Sequence, residues 1–184
     1  MNRLRKLYAL RSGAKSHFYS AAERLLMPIL FCLLISLGAR AHANIVGKVI
    51  SVIDGNTIEV TVPEDKKLTV LLEGIDCPEM GQEYGRDAKA FLEKMVLTKE
   101  VELEIKGRDR SGNHIAIVKV VNGVDLRVEL LKQGLAWTSE NGSKDLEPYK
   151  TWAQRKGKGL WKQQSPVPPW TYRRQQAMAK PKIR

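Results

Sequence analysis

Two stretches of strict alternation, separated by a turn, decide what kind of fold is open to this chain. From Thr57 to Val62, Ile58, Val60 and Val62 share one face while Thr57, Glu59 and Thr61 share the other. From Lys67 to Ile75, Leu68, Val70 and Leu72 face one way and Lys67, Thr69, Leu71 and Glu73 the other. A period of two marks a strand buried on one face. Pro63-Glu64-Asp65 turns the chain between them. Leu71 is the one apolar member of an otherwise polar face.

The remaining pattern supplies more of the same kind of structure. Ile45 to Ile53 reads as a strand ended by Asp54-Gly55, and Glu100 to Lys106 as another with Val101, Leu103 and Ile105 inward. His114 to Val121 is the fifth, after the turn Ser111-Gly112-Asn113. Tyr84, Ala88, Phe91, Leu92 and Met95 recur at helical spacing, which predicts a helix over 84–96. Further helices are expected over 125–133, stopped by Gly134, and over 146–156. Three strands, a helix, two strands and two helices predict an α+β fold. It is a five-stranded OB-fold Greek-key β-barrel with three helices. That domain is expected to span residues 44–172. Pro166, Pro168 and Pro169 then mark an extended segment, and residues 173–184 are expected to form a basic disordered tail. Trp137 and Trp152 are expected in the core, and His114 on a strand surface.

The first 43 residues read as an export signal. Arg3, Arg5, Lys6, Arg11, Lys15 and Arg24 form a basic region, Leu25 to Leu37 an apolar run, and Ala41-His42-Ala43 a cleavage site. The expected location is therefore periplasmic or secreted, with no transmembrane segment in the mature chain. An uncleaved anchor is the alternative, against which the run is short for a membrane span. The leader holds seven Lys or Arg and one acid, and the last twelve residues hold five Lys or Arg. Residues 44–172 then balance 19 basic against 19 acidic groups, so the +11 of the whole chain describes its ends and not its body. Beyond the leader, Cys77 is the only cysteine and His114 the only histidine. An internal disulfide, a histidine-rich zinc site and a cysteine cluster are thereby excluded. Any metal has to be held by oxygen, which favours calcium or magnesium.

Three acids, Asp54, Asp76 and Glu79, fall on two strand-ending turns, the usual way to build a carboxylate site for a hard cation. Their motifs carry a resemblance. Ile53-Asp54-Gly55-x-Thr57, Gly74-Ile75-Asp76-x-Pro78-Glu79, Tyr84-Gly85-Arg86-x-Ala88, Asp109-Arg110-x-Gly112, Gly134-Leu135-Ala136 and Gly159-Leu160-Trp161 resemble the staphylococcal nuclease (thermonuclease) family, in register from about Ile45 to Trp170. The resemblance implies calcium-dependent hydrolysis of DNA and RNA phosphodiesters. Asp76 then matches a calcium ligand, Glu79 the general base, and Asp54 the first acid of the ligand turn.

At other positions the chain departs from the family. Asn56 stands on the second calcium ligand, offering a carbonyl without charge, so calcium binding is expected to be weak. Leu71 and Asn113 stand on the two arginines that clamp the phosphate, and the nucleotide-facing tyrosines after Gly-Leu-Ala are absent. One charged donor aimed at a transition state is worth about a hundred- to a thousandfold in rate. The leader and these departures together predict an exported domain with impaired catalysis that persists as a nucleic-acid- or protein-binding module. The alternative is an active, divergent calcium-dependent nuclease. Arg110, kept from the family pattern, and the tail residues Arg173, Arg174, Lys180 and Lys182 are the candidate nucleic-acid contacts.

Overall fold

The computed structural model describes residues 44–139, 142 and 144–179. The expected leader, and Lys180 and Lys182 of the expected tail, lie outside the described residues. The strands are β1 (Ile45–Val52), β2 (Thr57–Val62), β3 (Lys66–Leu72), β4 (Ile75–Asp76), β5 (Glu100–Arg108), β6 (His114–Val120) and β7 (Trp137–Thr138). Five of them close a barrel in the order β1-β2-β3-β6-β5, and β4 pairs with β7 apart from it. The contact between β3 and β6 is parallel, and the other barrel contacts are antiparallel. This is the expected α+β barrel.

Alternation explains the closure. Val49, Ile58, Val60, Val70, Val101 and Leu103 have no exposed surface, while their sequence neighbours, Thr57 apart, are partly or fully exposed. The β2–β3 hairpin runs in register from Thr57↔Leu71 to Val62↔Lys66. Glu64 and Asp65 adopt the left-handed conformation (φ 68° and 55°) that lets so short a turn follow the strand twist.

Helices cover the barrel. α1 (Gly85–Val96) buries Ala88, Leu92 and Val96. α2 (Leu126–Lys132) begins where the Asp125 side chain accepts the Arg127 backbone N–H, and it buries Leu126, Leu130 and Leu131. α3 (Glu147–Arg155) inserts Ala153. Truncating Leu92 or Leu130 to alanine is expected to cost about 2–5 kcal/mol.

A fourth helix, α4 (Pro169–Ala179), corrects the expectation of an extended, disordered tail over Arg173 to Ala179. Proline fixes a helical φ and lacks only an N–H that the first turn leaves unused, so Pro169 starts a helix here. Thr171 and Tyr172 donate their backbone N–H groups to the Pro168 carbonyl, and residues of good helix propensity follow. Pro169 is buried, and Trp170 packs edge-on to Trp137 with ring centroids 5.8 Å apart. Trp137 is half-buried and also meets Trp161 at 4.5 Å. Trp152 is 45% exposed, so the expectation that it belongs to the core is corrected as well. On α3 it is Ala153, one residue on, that turns inward. Among the described residues no helix is long and apolar enough to cross a membrane.

Candidate functional site

The two acidic turns are stitched together at the end of β1. Ile53 and Asp54 donate their N–H groups to the Thr57 carbonyl, and Asp54 Oδ1 accepts the Asn56 N–H at 2.9 Å. Asp54 thus orders its own turn. Gly55 has no room for a side chain, because a Cβ there would meet the Cβ atoms of Ala88 and Cys77 at 2.7 Å each. The Cys77 thiol donates to the Gly55 carbonyl at 3.2 Å, and the Cys77 N–H donates to Asn56 Oδ1 at 3.3 Å. Burial pushes the Cys77 thiol well above its ordinary pKa, helped by the charges of Asp76 and Asp54. It is an unreactive strut at neutral pH.

The second turn is set by its own constraints. Gly74 takes φ 75° to lead β3 into β4, where Asp76 pairs with Trp137. Glu79 follows Pro78, and its N–H donates to Gln82 Oε1 at 2.8 Å. Gly85 lies against the Glu79 carbonyl, which would stand 2.0 Å from any Cβ. This requirement accounts for the glycine at the start of α1. A cavity of about 370 Å³ opens between the turns, lined among others by Asp54, Asn56, Leu71, Asp76, Glu79 and Arg173. Thr57, expected outward, is buried here where it pairs with Leu71.

Arg173 dominates this site. Its Nη1 and Nη2 donate to Asp76 Oδ1 and Oδ2 at 3.1 and 2.7 Å, and Nη1 also donates to Glu79 Oε1 at 2.7 Å. The Asp76 hydrogen bonds raise the guanidinium pKa further above its ordinary value, partial burial opposes them, and Glu79 adds to the rise. Arg173 is therefore engaged by carboxylates and is not the free phosphate contact expected of a tail residue. Arg174, one position on, is exposed.

The two replaced arginine positions separate. Leu71 lines the cavity. Asn113 is bound to Asp109, donating its backbone N–H to Oδ1 at 2.9 Å and its side-chain amide to Oδ2 at 3.0 Å. That side-chain bond, ahead of the backbone bonds of the turn, holds the Asp109 carboxyl below its ordinary pKa. Arg110 sits exposed on the same turn and is not among the residues lining the cavity.

One network was not legible in the sequence. Arg127, 4% exposed, donates to Asp125 through Nε (3.1 Å) and Nη2 (2.8 Å), and to the Glu73 carboxylate through Nη1. Burial pulls its pKa down, but the Asp125 bonds and the charges of Asp125 and Glu73 outweigh it and leave the guanidinium above its ordinary value. The sequence offered Asp125 only as a helix start. Glu73 lies 54 residues away from Arg127, with no local pattern to link them.

Calcium needs six to eight oxygens, several of them carboxylate. Here both Asp76 oxygens and one of Glu79 face Arg173, Asn56 Oδ1 holds Cys77, and Asp54 Oδ1 holds its own turn. The Asn56 carbonyl, expected as a weak uncharged donor, thus already carries one partner. Among the described residues, no three His, Cys, Asp or Glu side chains are grouped to hold a metal ion. The donor set as arranged fits a guanidinium and does not fit calcium.

Comparison with known proteins bears on the same region. The family model described as staphylococcal nuclease homologue matches residues 69–163. An uncharacterized endonuclease of Escherichia coli O157:H7 is 35% identical over 133 residues, covering 71% of this chain and 86% of that protein. An uncharacterized endonuclease of Haemophilus influenzae is 32% identical over 157 residues, covering 84% and 87%. A micrococcal nuclease of Shigella flexneri is 29% identical over 146 residues, covering 73% and 83%.

Proposed function

Because the chain belongs to the staphylococcal nuclease homologue family, we propose that it is an exported nucleic-acid-binding domain in which phosphodiester hydrolysis is impaired. One observation carries the reading. The acid pair that would serve a metal and an attacking water, Asp76 and Glu79, is held by the guanidinium of Arg173. The positions from which arginines would reach a phosphate offer none: Leu71 is apolar, and Asn113 is committed to Asp109. Phosphoryl transfer depends on cationic groups aimed at charge developing on the equatorial oxygens. The Glu79 oxygen that would face the attacking water is also occupied by the Arg173 guanidinium. Binding needs less. Exposed Arg110 and Arg174 remain suited to phosphate contacts, which are charge-driven and salt-sensitive. The basic, apolar, Ala-His-Ala order of the first 43 residues supports export.

The test is plasmid nicking by the full chain with calcium, alongside a DNA-binding titration at several salt concentrations. The expected result is salt-dependent binding with cleavage no faster than that of Glu79→Gln. Robust calcium-dependent cleavage abolished by Glu79→Gln overturns the proposal. It would favour the second reading, an active divergent nuclease in which Arg173 acts as a rebuilt phosphate clamp. That reading draws support from the endonuclease and nuclease names of the relatives.

A further inference from the structure

The chain places a guanidinium where its family's chemistry uses a metal ion, and the surroundings of Arg173 are organised to keep it there. α4 is docked through three residues that precede Arg173. Pro169 is buried, Trp170 packs on Trp137, and the Tyr172 hydroxyl lies close enough to Gly81 to exclude a Cβ at 2.7 Å. The strand pairing Asp76↔Trp137 ties the receiving carboxylate to the tryptophan on which the helix rests. Gln82 links the other end, accepting the Glu79 N–H through Oε1 and donating Nε2 to the Val167 carbonyl at 3.0 Å. Both the donor and the two acceptors are thus positioned by contacts outside the ion pair. The planar fork meets Asp76 through two bonds and Glu79 through one, geometry that an ammonium or a spherical ion does not reproduce.

We infer that Arg173 is the resident cation of the Asp76–Glu79 pair, a strap carried by the C-terminal helix that a divalent ion must displace to reach these carboxylates. The strap is half-exposed, with 50% of the Arg173 side chain accessible, so solvent screens the ion pair and leaves it open to competition by a cation from solution. It masks the site without sealing it. This goes beyond the impaired-nuclease reading and stands whether or not hydrolysis persists, because it concerns which cation the acids hold.

The experiment is a calcium titration of the full chain, with terbium luminescence as a second probe, comparing the parent with Arg173→Gln and Arg173→Lys. The strap predicts that Arg173→Gln binds calcium about fivefold or more tightly than the parent, the gain set by loss of an exposed multi-bond ion pair. Arg173→Lys should fall between, since one ammonium cannot fork. Millimolar methylguanidinium should compete with calcium in Arg173→Gln and have less effect on the parent. Near-UV circular dichroism of the Trp137–Trp170 contact checks that α4 stays docked. If it undocks in Arg173→Gln, the methylguanidinium competition is read in Arg173→Lys. Equal calcium affinity in all three proteins, or no competition by methylguanidinium, overturns the inference.

Discussion

The side-chain carbonyl of Asn56 accepts the backbone N–H of Cys77 at 3.3 Å, joining two acidic turns 21 residues apart. The residue on a family metal-ligand position therefore has structural work of its own, and this separates two substitutions. Asn56→Ala leaves the Cys77 N–H without that acceptor and should cost about 1–3 kcal/mol. Asn56→Asp keeps an acceptor and adds a charge near Asp54 and Asp76, so without calcium it should change stability by no more than about 1 kcal/mol. Urea denaturation of the two variants in chelator checks this. Equal losses would show that the bond to Cys77 does not hold the turns together.

Restoring the missing groups tests the impaired reading from the other side. Leu71→Arg points a guanidinium into the cavity from β3 and gives up only a half-buried apolar contact, a loss of about 1 kcal/mol. Asn113→Arg sacrifices the Asp109 side-chain bond, a further loss of about 0.5–1.5 kcal/mol. Combined with Asn56→Asp, they should raise calcium-dependent nicking above the parent, with the gain removed by Glu79→Gln. Arg173→Gln added to the triple variant should raise it again if the strap competes with the metal. A triple variant that folds yet cleaves no better than the parent would show that the absent arginines are not what limits cleavage.

Much of this was readable in the sequence, for physical reasons. The β2–β3 hairpin was legible because one buried face forces a period of two on Ile58, Val60, Leu68 and Val70. The motif glycines were legible because their reasons are steric: Gly55 between Cys77 and Ala88, Gly85 against the Glu79 carbonyl. Arg173 was misplaced for two reasons. Three prolines in four residues, Pro166, Pro168 and Pro169, look like extended chain, although Pro169 starts a helix. Its partners Asp76 and Glu79 also lie 97 and 94 residues back, beyond any local pattern. Trp152 was assigned to the core from its chemistry, when its position beside Ala153 on α3 decides the matter.

His114 gives a pH signature. Burial on β6 lowers its pKa, and the charges of Arg108 and Lys66 lower it further against a bond to the Thr69 backbone. The unfolded chain, with histidine near pKa 6.5, then binds the proton more readily than the fold does. Stability is expected to be lost as pH falls below about 6.5, until the folded His114 also titrates. The comparison is made as a difference between two proteins, so that every other titrating group cancels. The stability gap between the parent and His114→Gln should shift against the parent from about pH 7.5 to about pH 5. A gap that does not change with pH would remove His114 from the account.

Arg127 is the residue whose loss should be felt most. It holds Glu73 and Asp125 with only 5% of its side chain accessible, and its partners are 23% and 17% accessible. Arg127→Met would leave two shielded carboxylates facing each other without a cation, a cost of about 3–5 kcal/mol. Adding Glu73→Gln should restore part of that, because one stranded charge is then gone, whereas independent sites would simply add their losses. Glu73 precedes Gly74, which turns the chain toward Asp76, so the damage should reach the site. Amide exchange at Ile75 and Asp76 is expected to quicken in Arg127→Met before the barrel strands β1 and β2 are affected. Protection lost evenly across barrel and turn would mean that Arg127 supports the whole fold and has no particular hold on the segment carrying Asp76.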